Sequence, residues 1–295
     1  MKGLKGLALI LALALVALSL LSRFVQTRSA PSSDAASNPG LTTPVVAKSD
    51  AASSAQTDLP VKQEMREQFT LQPNVMVYVS GINGKLDVET SATDKAEVYL
   101  VRSVRHADDF EERNVSVKID NDGDLGITIR NNHDRNIWSA FGSRKDERHR
   151  LLLKLPRNVQ FKASRMNGNL TLGELDNSLI IHGLSGNVKA ARVATSAELE
   201  GINGNLDVTF ANLTKGVYTN GVNGNLDLRF ADTVNADVEL RGHNGKFNSE
   251  LPNTTIKEQK HSRVEARIGN GGVSIEGNGI NGNFNLLAAA KAASK

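Results

Sequence analysis

The chain has 295 residues, no cysteine, 35 basic and 32 acidic side chains, and only 4% aromatic residues. Disulfides and thiolate metal sites are therefore excluded, and a sugar cleft built on stacked rings has little to build on. Residues 1–60 hold five of the basic and three of the acidic side chains, which leaves a nearly neutral body without a basic stripe, so nucleic acid is not an expected partner.

Lys2 and Lys5 precede an apolar run from Leu7 to Leu21 that is broken only by Ser19. A charged start before such a run is the pattern of an export signal, and residues 1–26 are read as a signal peptide or signal anchor. No small-x-small cleavage site directly follows Leu21, and Gly6–Ser22 spans 17 residues, at the short end of what crosses a bilayer as a helix. Left uncleaved, this apolar helix would attach the chain to the inner membrane with the body outside the cytoplasm. The expected localisation is thus export, to the periplasm or the cell surface. Residues 27–60, rich in Ser, Ala, Thr, Asp and Pro, cannot bury enough to order themselves and read as a flexible, disordered linker.

A β domain is expected over 61–287, with a short tail at 288–295. Val75 to Val79 alternates as a strand, and Gly81-Ile82-Asn83-Gly84-Lys85-Leu86-Asp87-Val88 is the first copy of a unit that recurs later. Ala96–Val104, Val115–Ile119 and Leu125–Ile129 alternate again, the last two around an Asn121-Asp122-Gly123-Asp124 turn. Residues 130–150 form a polar insertion holding the only tryptophan. It either presents Trp138 as a candidate partner contact, since aromatic anchors concentrate at interfaces, or is a surface insertion pinned by one buried aromatic patch, the reading preferred here.

After the apolar strand Leu151–Leu155 and Pro156, the unit returns at Phe161–Leu172, Leu179–Ala190, Ala197–Val208, Val217–Leu228 and Val238–Ser249, with a last copy at Ile275–Leu286. Measured at the corner asparagine (Ser185 in the second), positions 167, 185, 203, 223 and 244 lie 18, 18, 20 and 21 residues apart. A near-constant period with strand-like alternation marks a repeat architecture. The corners are Asn83-Gly84, Asn167-Gly168, Asn203-Gly204, Asn223-Gly224, Asn244-Gly245 and Asn281-Gly282. Asn-Gly is also a strong hairpin signal, so an antiparallel hairpin meander is the alternative. Against it, the residue before the asparagine is apolar in every copy (Ile82, Met166, Leu184, Ile202, Val222, Ile280) except at His243. In a hairpin that places Leu199, Leu206 and Val208 in the core, Ile202 would face solvent. A chain turning a corner can turn it inward, and stacked corners would place asparagine amides about 4.8 Å apart, close enough to bond in a ladder. The expected fold is all-β, a single-chain β-solenoid of coils of about 20 residues.

The run from Leu151 through Pro156 and Phe161 to Asn167-Gly168-Asn169-Leu170 resembles the bacterial putative-adhesin family, a domain of unknown function. The likeness covers roughly 69–287, and the charged insertion and the irregular stretch after Leu251 depart from it. It implies an exported β-solenoid with Asn-Gly coils and brings no catalytic residue with it.

Asp87, Asp207 and Asp227 share the outward position four residues after the asparagine, which could suit calcium or a carboxylate pair for glycoside chemistry. The same position is Thr171, Lys189, Asn248 or Asn285 elsewhere, so no catalytic, cofactor or metal residue is assigned. The six histidines are dispersed without metal-ligand spacing, and His243 reads as a packing substitution. No nucleophile elbow is present. The expectation is a non-enzymatic, cell-envelope protein without cofactors, adhesin-like, that presents a surface to an envelope or surface partner, protein or glycan. A periplasmic scaffold or stress-linked factor is the alternative among binding proteins, and a polysaccharide-acting β-helix enzyme the alternative from another class.

Overall fold

The computed structural model describes residues 59–132, 146–260 and 262–289. Gly6–Ser22, all but the end of the linker, Trp138 and most of the tail lie outside the described residues. In the first half, strands β1 (Val61–Thr70), β2 (Met76–Ser80), β3 (Gly84–Ser91) and β4 (Lys95–Val104) are followed by a 3-10 turn and then β5 (Arg113–Ile119) and β6 (Leu125–Asn131). β7 (Glu147–Pro156) leads into copies that supply two strands each. These are β8 (Gln160–Asn167) with β9 (Leu170–Leu175), β10 (Leu179–Ser185) with β11 (Val188–Val193), and β12 (Ser196–Asn203) with β13 (Leu206–Phe210). β14 (Gly216–Asn223) with β15 (Leu226–Phe230) and β16 (Ala236–Arg241) with β17 (Phe247–Ser249) continue the series. The pair β18 (Thr254–Lys260) and β19 (Arg263–Ile268) precedes the last copy, β20 (Val273–Asn281) with β21 (Phe284–Ala288).

The strands form two large, open, mixed sheets. One has the order β1-β4-β7-β3-β9-β11-β13-β15-β21-β17, the other β18-β19-β16-β20-β14-β12-β10-β8-β2-β6-β5. The strands flanking each Asn-Gly therefore lie in different sheets, and neither pairs with the other as a hairpin would require. Each instead pairs in parallel with its equivalent in the adjacent copy: Asn203 opposite Asn223, Leu206 opposite Leu226, Ile202 opposite Val222. Copies do not stack in chain order. The last copy lies between its two predecessors, with β20 between β14 and β16 and β21 between β15 and β17.

A backbone device lets Leu199 and Ile202, three residues apart, both face the core. Gly201 has φ 61°, and the register passes over it, pairing Glu200 with His182 and then Ile202 with Leu184. A residue in the left-handed region restarts the alternation, so the apolar residue before each asparagine turns inward. Ile82, Met166, Leu184, Ile202, Val222, Ile280 and His243 are all buried. The core between the sheets repeats as well, and Phe210 stacks on Phe230 with ring centroids 5.6 Å apart.

Antiparallel strands close both ends of the stack. β1 and β4 continue the first sheet beyond β7, β5 pairs with β6, and β18 with β19. Residues 130–150, read above as an insertion, carry strand at both ends: β6 runs to Asn131 and β7 begins at Glu147.

Candidate functional site

Two hydrogen-bond series link the corners. In the first, the side-chain amide of one corner asparagine donates to the oxygen of the next: Asn167 to Asn83 (3.0 Å), Asn223 to Asn203 (3.2 Å), Asn281 to Asn223 (3.2 Å) and Asn244 to Asn281 (3.0 Å). In the second, two residues later, side-chain oxygens of Asn169, Asn187, Asn205, Asn225 and Asn283 accept backbone N–H groups of the adjacent copy. Corner residues thus hold one copy to the next.

The ladder ends at Asn83 against a buried ionic cluster. The Asn83 side chain donates to the Glu147 carbonyl at 2.6 Å, and its backbone N–H donates to His149 Nδ1 at 2.9 Å. His149 is therefore neutral, with its proton on Nε2, which lies 3.0 Å from Glu147 Oε1 in a close but poorly aligned contact. Arg102 Nε donates to the same oxygen at 2.6 Å, and its other nitrogens reach Gln63 and the Phe110 carbonyl. Burial pushes the His149 pKa below its ordinary 6.5, more than Glu147 raises it. Burial would raise that of Glu147, but contacts to His149 and Arg102 outweigh it and hold the carboxyl below 4.5. The cluster stands where the ladder ends and caps it.

On the outer face of the first sheet, Asp207 and Asp227 are register neighbours as the period implies. Arg229 Nε binds Asp207 at 2.7 Å and its Nη2 binds Asp227 at 3.2 Å, while Asn285 donates to Asp227 at 2.7 Å. Asp87 pairs with Lys85 at 2.8 Å. Asp207 and Asp227 thus share one guanidinium, and Asp87 has its own lysine.

The second sheet's outer face differs. Lys162, Ile180, Glu198, Tyr218, Glu276 and Glu239 form one register row across six strands. A shallow depression of about 330 Å³ lies along it, lined by Ser178, Ile180, Glu198, Lys215 and Tyr218 among others. At its border, His182 Nε2 sits 2.7 Å from Glu198 Oε1 and 3.8 Å from Glu200 Oε2. The histidine spacing in the sequence does not show this trio. The 18-residue period does, because it puts His182 opposite Glu200 in a parallel pair. His243, by contrast, is buried at its corner with Nε2 3.0 Å from the Gly282 carbonyl.

No family model and no curated protein sequence matches the chain. Among solved structures, a "putative cell adhesion protein" from Clostridium sporogenes is 12% identical, with 77% of this chain and 100% of that one covered at a TM-score of 0.42. A "putative adhesin" from Parabacteroides merdae is 10% identical, with 77% and 96% covered at 0.24. A "putative lipid binding protein" from Parabacteroides distasonis is 12% identical, with 77% and 97% covered at 0.23.

Proposed function

We propose that the chain is an exported β-solenoid of the cell envelope, adhesin-like, which works by presenting an extended surface to a partner rather than by catalysis. One observation carries this reading. Separate copies contribute one outward side chain each to a continuous row, Lys162 to Glu239, beside a shallow depression. A row of this kind offers contacts spaced about 4.8 Å apart to an elongated protein or glycan. The charged start and apolar run of residues 1–26 support export. The pairing of Asp207 and Asp227 with Arg229 counts against a polysaccharide-acting enzyme.

Two experiments test the proposal. A C-terminally tagged chain exposed to protease in intact and permeabilised cells should be digested in the first case if it is at the surface. It should be digested only in the second if it is periplasmic, and recovery with the cytosol would overturn export. Purified protein incubated with envelope glycans should release no fragments. Cleavage that disappears in Asp207→Asn or Asp227→Asn would replace the binding reading with the enzymatic one.

A further inference from the structure

We infer that His182, Glu198 and Glu200 form a binding site for a zinc-class divalent cation on the outer face of the second sheet. The three ligand atoms, one per side chain, all lie within 4.8 Å of one another. Around a tetrahedral zinc with bonds of about 2.0–2.2 Å, ligand atoms stand about 3.4 Å apart. The observed 2.7 and 3.8 Å from His182 Nε2 straddle that value.

The electrostatics of the face point the same way. On this face Glu239 and Glu265 pair with Arg263 and Asp237 with Arg267, while Glu276 accepts from the Ser274 hydroxyl at 2.8 Å. Glu198 and Glu200 differ: among the described residues their ion-pair partner is His182 alone, with no arginine or lysine on either. Two carboxylates beside one imidazole form a site of net negative charge that a divalent ion neutralises. All three side chains are partly exposed, at 31%, 44% and 36%, which leaves an entry path and open coordination positions next to the depression. An imidazole in the set favours zinc and its transition-metal neighbours over calcium or magnesium, which prefer oxygen throughout.

The test is calorimetric titration of the untagged full chain with zinc chloride, with cobalt(II) absorption as a second readout. The expected result is one zinc per chain, with affinity reduced at least about tenfold in His182→Ala and in Glu198→Gln. Unchanged thermal melting without metal would show that the variants fold. Tenfold excess calcium should leave zinc uptake unaltered. Absence of zinc binding, or binding of equal strength in both variants, would overturn the site, and displacement by calcium would overturn its assignment to the zinc class.

Discussion

Gly204 and Gly123 both have positive φ, 153° and 85°, but their surroundings differ. A Cβ on Gly204 would stand 1.9 Å from the Gly186 carbonyl oxygen, whereas one on Gly123 meets only the Val75 side chain at 3.8 Å. Gly204→Ala should therefore destabilise by at least about 2 kcal/mol and Gly123→Ala by about 1, measured by urea unfolding. Equal effects would mean that backbone strain alone, not the contact between copies, sets the requirement for glycine. Glu147 and His149 give a residue-scale account of acid sensitivity. Both have folded pKa values below their unfolded ones, so the unfolded state binds more protons between the two. Their stabilisation is present above about pH 6.5 and is lost on acidification, first as pH falls from 6.5 toward the folded His149 value, then further below 4.5 toward that of Glu147. Arg102→Ala, which removes the closest cation from Glu147, should cost about 3 kcal/mol at pH 7, read from the same unfolding curves.

At the scale of elements, the alternation of apolar residues and the inward apolar residue before each asparagine were legible in the sequence, because both follow from a repeated backbone path. Glu147 and His149 were not. Charged residues read as a polar surface segment, and only the three-dimensional pairing with Arg102 makes their burial tolerable. The His182 trio was hidden for a different reason: its members approach through register, which single-residue motifs ignore. Ser185 is where the asparagine ladder breaks, since it lies opposite both Asn167 and Asn203. Ser185→Asn should join the two halves of the ladder and stabilise the protein by roughly 1 kcal/mol, seen as a higher urea midpoint with an unchanged slope.

For the whole molecule, the ends of the stack matter as much as its middle. Long parallel sheets leave edges that recruit other chains, and at the β17 and β18 end these edges are blunted. β17 has three residues, and β18 carries Lys257 and Lys260 with a register shift between Ile256 and Glu258. The placement of the last copy was not legible from the period, because a copy that follows a long excursion can dock against either neighbour. Its position inside the stack also sets how the chain responds to shortening. Ending the chain after Gly272 removes β20, on which both β14 and β16 pair, and should abolish a single cooperative thermal transition rather than trim an end. Parallel stacking with the last copy inside is the claim on which the proposed solenoid and its presented face both stand. Cysteine crosslinking tests it directly in a chain that has no cysteine of its own. Tyr218 and Glu276 are register neighbours, while Tyr218 and Glu239 stand two strands apart, about 9.6 Å and beyond the reach of a disulfide. Under mild oxidation the Tyr218→Cys, Glu276→Cys pair should close and the Tyr218→Cys, Glu239→Cys pair should stay open on a non-reducing gel. The reverse pattern would mean that the copies stack in chain order and would contradict the account.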